Sequence, residues 1–104
     1  MLEISWRPRA QLDRESIACY LAIDCKNPQA ALKTIKELDD TLENARTFPE
    51  MGRRFQDDTL QNKDYRMLLC GSYRIFYRFD ENQLTVYRIL HQHRDLDTFT
   101  LIDF

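Results

Sequence analysis

Five arginines and two histidines between positions 66 and 94 have the side chains best suited to chemistry. The arginines are Arg66, Arg74, Arg78, Arg88 and Arg94, and the histidines are His91 and His93. Guanidinium groups bind phosphates and carboxylates through forked N–H donors. Imidazole exchanges protons near neutral pH. Together these residues could recognise anions and also move a proton.

A metal site is a weaker interpretation of the same region. His91 and His93 would share one strand face, a spacing compatible with a metal ion. No cysteine or carboxylate constellation completes such a site, so we expect no metal and no cofactor. Cys19, Cys25 and Cys70 are odd in number and lack C-x-x-C spacing. This pattern indicates reduced thiols rather than disulfides or zinc ligands.

The arginines lie in a region with the pattern of β-strands. Residues 65–70, 73–79 and 84–91 are rich in β-forming side chains, and short turns at Gly71-Ser72 and at residues 80–82 separate them. Two short turns predict an antiparallel meander. Alternation assigns one set of side chains to the core that faces the helices: Met67, Leu69, Ile75, Tyr77 and Phe79. The other set should stand on the open sheet face: Arg66, Arg74, Arg78, Leu68 and Phe76. Arg88 could join either face, because its strand is apolar on both.

The elements that position this sheet precede it in the chain. Residues 2–6 alternate as a half-buried strand, and residues 12–23 follow with helical spacing. Asn27-Pro28 begins a second helix and Phe48-Pro49 ends it. We expect residues 49–63 to form an irregular loop. The predicted fold is α+β, strand-helix-helix-strand-strand-strand: a mainly antiparallel sheet of four strands packed against a two-helix hairpin. Its core should include Ile35, Leu38, Leu42, Ile75 and Tyr77.

Length and charge limit the function classes. The 104 residues give room for one domain, 1–104, with a short C-terminal tail from about 95 to 104. No stretch is apolar enough for a membrane span, and residues 1–10 do not resemble a secretion signal, so we expect a cytoplasmic protein. The net charge of −2 is unlike that of proteins whose main task is to bind nucleic acid. Any basic surface must therefore be local.

The order of elements and several short motifs resemble the RelE/ParE toxin superfamily of type II toxin–antitoxin systems. The motifs are WRPRA at 6–10, FPEMGR at 48–53, YRMLL at 65–69, GSYRIFYR at 71–78, YRILH at 87–91 and a closing Arg94-Asp95. Their closing part is more similar to the ParE-like branch. The resemblance implies a toxin that a cognate antitoxin neutralises in a hetero-oligomer. RelE-like members cut mRNA on the ribosome, and ParE-like members poison DNA gyrase.

A ribosome-dependent nuclease would need cationic groups and a proton donor around the scissile phosphate. The resemblance to RelE-like enzymes assigns Arg66 and Arg74 to two of these positions. Leu68 and Phe99 stand where that resemblance implies a second basic residue and a tyrosine. Neither side chain can transfer a proton. His91 or His93 would have to replace them.

Poisoning of gyrase needs a binding surface and no catalytic group. The expected surface consists of Arg66, Arg74, Arg78, Arg88 and Arg94. Each of these arginines could instead only solvate an exposed face or pair with antitoxin carboxylates. A third alternative is a degenerate toxin that only binds antitoxin. The tail could cover the sheet or dock the antitoxin, and the sequence favours neither.

Overall fold

The computed structural model describes residues 1–55 and 64–92. In chain order the elements are β1 (Glu3–Trp6), α1 (Pro8–Cys19) with a π-helical turn (Tyr20–Asp24), α2 (Pro28–Thr47), a 3₁₀ turn (Pro49–Met51), β2 (Arg53–Arg54), β3 (Arg66–Cys70), β4 (Tyr73–Phe79) and β5 (Gln83–His91). The sheet has the order β1-β5-β4-β3-β2. Strand β1 is parallel to β5, and the other pairs are antiparallel. The α+β class and the order of the long elements are confirmed.

Local signals explain where the second helix begins and ends. The Asn27 side chain accepts a hydrogen bond from the Ala30 N–H at 3.0 Å, and Pro28 occupies the first helical position. At the other end, the Phe48 N–H donates to the Asn44 carbonyl and Pro49 follows. The apolar stripe of α2 is buried against the sheet at Ala31, Leu38, Leu42 and Ala45.

Most of the predicted core is confirmed. Leu38, Leu42, Ile75 and Tyr77 are almost fully buried between the helices and the sheet, while Ile35 is half-buried at the margin. The first helix contributes less, since Ala10 is its one fully buried residue. The expectation of four strands was wrong. Two residues of the segment predicted to be irregular, Arg53 and Arg54, pair with Met67 and Arg66 as a fifth, edge strand.

The predicted faces are correct for β4 and wrong for β3. Leu68 lies in the helix-facing core, whereas Met67 packs with Phe76 and Leu90 in a second cluster on the opposite face. Leu69, predicted to be buried, is 59% exposed. The strand buries apolar side chains on both faces, so alternation of apolar residues does not identify its core face. The face opposite the helices is therefore not simply open, because it holds this second apolar cluster.

A β-bulge settles the ambiguous strand β5. Val86 stands opposite Tyr77 but Arg88 stands opposite Phe76, so Tyr87 is an extra residue between the two pairs. Before the bulge, Leu84 and Val86 enter the helix-facing core. After it, Leu90 joins Met67 and Phe76 on the other face. Both faces of β5 are apolar because the bulge shifts the alternation within one strand.

Candidate functional site: an arginine surface on the sheet

Arg74 and Arg78 stand on the sheet face opposite the helices, as predicted. They alternate with the core residues of β4, and each is partly exposed. Arg74 lies opposite Leu69 and Leu90, and its Nη1 is 3.8 Å from the Met67 sulfur. The Nε atoms of both arginines are buried and have no hydrogen-bond partner within the described part of the chain.

The surroundings of Arg78 include two aromatic rings and one carboxylate. Its guanidinium carbon lies 5.6 Å from the centre of the Tyr65 ring. Its Nη2 is 3.9 Å from an Asp64 carboxylate oxygen, which is an ion pair beyond hydrogen-bond distance. Arg54 approaches the same carboxylate at 3.9 Å. Tyr65 in turn packs edge-on against Tyr87, with 5.0 Å between the ring centres. Burial and the neighbouring Tyr87 raise the pKa of Tyr65 above its ordinary value, so its hydroxyl stays protonated at neutral pH.

Arg66 does not belong to the same surface. It lies opposite Tyr77 in the β3–β4 register and therefore on the other side of the sheet from Arg74. Its Nη1 donates to the Gly52 carbonyl at 2.8 Å and to the Glu50 carbonyl at 3.2 Å. The guanidinium thus holds the turn that follows α2.

Tyr77 fixes the same turn from inside the core. Its hydroxyl donates to the Pro49 carbonyl at 2.7 Å and accepts from the Gly52 N–H at 3.0 Å. Burial raises the pKa of this phenol, although the hydrogen bond from Gly52 opposes the shift. A Cβ at Gly52 would lie 2.5 Å from the Tyr77 hydroxyl, so this position needs glycine for close packing.

Arg88 is buried in an ion pair that joins α1 to β5. Its Nε and Nη2 donate to the Asp13 carboxylate at 2.7 and 3.0 Å, and the Ile89 N–H donates to that carboxylate at 3.0 Å. The Arg88 side chain is only 8% exposed. Strand β1 ends at Trp6, opposite Val86, so within the described ranges the later residues of β5 have no partner strand on that side. The Asp13 carboxylate takes the place of such a partner by accepting the Ile89 N–H. Arg88 therefore holds the fold together and contributes no exposed guanidinium to the surface.

The candidate nuclease residues that the structure describes are dispersed. His91 lies opposite Tyr73 in the register, with 5.4 Å between the ring centres, and Arg66 lies opposite Tyr77 on the same strand. Tyr73 and Tyr77 are four steps apart along β4, which corresponds to about 13 Å along a strand. Arg74 points to the other face. His93, Arg94 and Phe99 lie outside the described residues.

Charge is distributed unevenly between residues 1–52, which include β1 and the helices, and the strands that follow. Residues 1–52 carry nine acidic and seven basic side chains, whereas residues 53–55 and 64–92 carry six arginines and three acidic side chains. Residues 53–55 and 64–92 are thus basic within an acidic chain. The net charge of −2 had predicted that any basic surface must be local in this way. Across the described ranges no three His, Cys, Asp or Glu side chains are grouped as a metal site would need. No helix in those ranges is both long and apolar enough to cross a bilayer.

Comparison with known proteins identifies the family. A family model described as the ParE toxin of the type II toxin–antitoxin system parDE matches residues 4–96, nearly the whole chain. The chain belongs to the ParE toxin family. Membership implies an antitoxin partner. No curated protein sequence matches this ParE-type toxin.

Solved structures share the fold of this ParE-type toxin at low sequence identity. A chain of the chromosomal ParDE system from P. aeruginosa superposes with a TM-score of 0.67 at 17% identity, over 88% of this chain and 96% of that one. A YoeB/ParE toxin from Agrobacterium tumefaciens gives 0.62 at 16%, over 86% and 98%. YafQ from E. coli strain BL21(DE3) gives 0.59 at 18%, over 93% and 100%. At these identities the likeness shows the fold alone.

Sequence reasoning missed the residues that surround Arg78. Tyr65, Asp64 and Tyr87 come together only through the strand order and the bulge. No local pattern marks a bulge at Tyr87. Strand β5 has apolar side chains on both faces, so its sequence fits the sheet equally well with or without the extra residue. Asp13 was missed as well, since it pairs with a residue 75 positions away.

Proposed function

We propose that this ParE-type toxin acts by binding DNA gyrase through the sheet surface that carries Arg74 and Arg78, and not by cutting mRNA. The proposal implies that it acts in the cytoplasm. The observation that supports it best is the dispersal of the three nuclease candidates that the structure describes. Arg66 and His91 lie at separate positions along the sheet, and Arg74 lies on its other face. General acid–base catalysis requires such groups within hydrogen-bond reach of one substrate.

The hydrogen bonds of Arg66 and the burial of Leu68 also favour binding over catalysis. The Arg66 guanidinium already donates to two backbone carbonyls, so its use on a phosphate would release the turn after α2. Leu68 is buried in the helix-facing core, and this position offers no side chain for proton transfer at a surface. Arg74 and Arg78 are partly exposed and lie among the basic residues 53–55 and 64–92. A binding surface of this kind needs charge and shape but no catalytic group.

The experiment is controlled expression of the wild type beside the double variant Arg74→Ala/Arg78→Ala. DNA synthesis and protein synthesis are followed separately after induction. For the wild type we expect DNA synthesis to stop and cells to filament while translation continues at first. The double variant should be non-toxic yet folded, because exposed arginines contribute little to stability.

The matched control is Lys33→Ala/Lys36→Ala, which removes the same charge from the exposed side of α2 and should stay toxic. If protein synthesis stops first, with transcripts cut inside codons, the nuclease alternative is correct. Full toxicity in the folded Arg74→Ala/Arg78→Ala variant would remove both arginines from the site. A wild type that binds antitoxin but harms no cell would instead identify a degenerate toxin.

A further inference from the structure

Four side chains from separate segments form a continuous row of contacts. The Arg7 guanidinium lies 5.6 Å from the centre of the Tyr87 ring, the Tyr87 and Tyr65 rings are 5.0 Å apart, and Arg78 lies 5.6 Å from Tyr65. We name Arg7, Tyr87, Tyr65 and Arg78 the guanidinium–aromatic row. Each guanidinium lies over a ring, so a cation–π attraction favours a cation at each end of the row.

The bulge in β5 creates this row. Because Val86 and Arg88 take the positions opposite β4, Tyr87 is released from the regular alternation of the strand. Bulges often re-aim a side chain at a functional surface. Here the re-aimed ring bridges Arg7, which follows β1, and Tyr65, which precedes β3. A small cavity of about 160 Å³ beside the row is lined by Arg78 and Tyr87 together with Asp80, Gln83 and Thr85.

Both ends of the row have donor capacity that the described part of the chain does not use. Arg7 is exposed, and its guanidinium forms no hydrogen bond or ion pair with any described residue, although its backbone pairs with Val86 and Gln11. Arg78 has a buried Nε without a hydrogen-bond partner in the described ranges, and its Nη2 lies 3.9 Å from the Asp64 carboxylate. A guanidinium whose carbon lies over a ring can still offer N–H groups to an anion. Such N–H groups bind carboxylates and phosphates in a bidentate way.

We propose that the guanidinium–aromatic row binds a polypeptide segment that carries two carboxylates, one at Arg7 and one at Arg78. The inference refines the chemistry of the Arg78 surface and so rests on the proposed function. Nucleic acid is disfavoured because single strands are bound by stacking of bases on open rings. Tyr65 is buried and packed edge-on against Tyr87, so the row offers no such platform. The chain has a net charge of −2, so it repels a nucleic acid more strongly than it repels a short acidic peptide.

The test is a titration of the full-length, ¹⁵N-labelled protein with two probes of matched length. One is an octapeptide with glutamates at positions 2 and 6 and serine elsewhere, and the other is an eight-nucleotide oligo-dT. The peptide should shift the side-chain Nε–H signals of Arg7 and Arg78 in a saturable, salt-sensitive manner. Arg7→Gln and Arg78→Gln should each weaken its binding at least about fivefold, since each removes one charge-assisted contact. Lys33→Gln, which removes a charge from the helical layer, should leave binding unchanged.

Three results would overturn the inference. Tighter binding of oligo-dT than of the peptide would identify a nucleic-acid surface. Absence of saturable binding by either probe would show that the row is no anion site. Equal peptide affinity for the wild type and Arg7→Gln would remove Arg7 from it. These three results are measured on the purified protein. The proposed function is tested separately in cells, where it would be refuted if translation stopped before replication. A toxin that stops translation yet binds the peptide through Arg7 would refute the gyrase target and leave the assigned ligand class intact.

Discussion

Replacing Asp13 by alanine tests how the first helix is joined to the sheet. The Asp13 carboxylate accepts three hydrogen bonds, two from Arg88 and one from the Ile89 N–H. The Arg88 and Asp13 side chains are 8% and 16% exposed, so solvent replaces the lost carboxylate poorly. Breaking a buried ion pair from one side costs about 3–5 kcal/mol. A domain of this size has a free energy of unfolding of about 5–15 kcal/mol, so the loss is a large part of the total.

The assay is equilibrium unfolding in urea, followed by circular dichroism and by the fluorescence of Trp6, the one tryptophan of the chain. With a denaturant slope of about 1–3 kcal/mol per molar urea, a loss of about 3 kcal/mol lowers the midpoint by roughly 1–3 M. Arg14→Ala is the control, because its ion pair with Asp39 is about one-third to one-half exposed and should contribute no more than about 1 kcal/mol.

A double-mutant cycle separates the ion pair from general loss of packing. Arg88→Met keeps an apolar stem in the buried position, so Asp13→Ala and Arg88→Met together should cost less than the two single changes added. We expect a coupling free energy of at least about 1 kcal/mol. Strict additivity, or an Asp13→Ala protein within about 0.5 kcal/mol of the wild type, would refute the argument for a stabilising buried pair.

Three further predictions concern the turn after α2, the phenols and the core. Gly52→Ala should lower stability by about 1–3 kcal/mol in thermal unfolding, because the new Cβ would meet the Tyr77 hydroxyl, and an unchanged melting temperature would count against this packing. Burial raises the pKa of Tyr77 and Tyr65, so their contribution to stability is complete below pH about 10 and lost as pH rises through the folded-state values. Tyr77→Phe should reduce that alkaline loss, and an identical pH profile would contradict the assignment. Leu38→Ala should cost about 2–5 kcal/mol in urea, while Leu32→Ala, at a site 75% exposed, should stay within about 0.5 kcal/mol.

The elements that the sequence predicted well are those with local causes. Helix α2 has an Asn27 cap, a proline at each boundary and one apolar stripe, and all of these signals agree. The two hairpin turns likewise depend on nearby residues. Gly71 adopts a φ of 58°, and Asp80 accepts hydrogen bonds from the Asn82 and Gln83 N–H groups.

The faces of the sheet could be predicted only where one face is clearly polar. In β4 the arginines alternate with apolar residues, so Arg74 and Arg78 were correctly placed together. Strand β3 buries Met67 and Leu68 on opposite faces, and the pattern therefore gave the wrong face for Arg66. The environment of Arg88 could not be predicted, because it depends on a bulge and on a carboxylate in another element.

The most direct test of the central claim uses purified components. Supercoiling of relaxed plasmid by DNA gyrase is measured with increasing toxin, and mRNA on translating ribosomes is analysed for cuts at the same toxin concentrations. We expect wild-type toxin to inhibit supercoiling or trap cleaved plasmid, Arg74→Ala/Arg78→Ala to leave gyrase active, and ribosome-bound mRNA to stay intact. Cut mRNA together with unaffected gyrase would contradict the claim that this ParE-type toxin acts by binding gyrase.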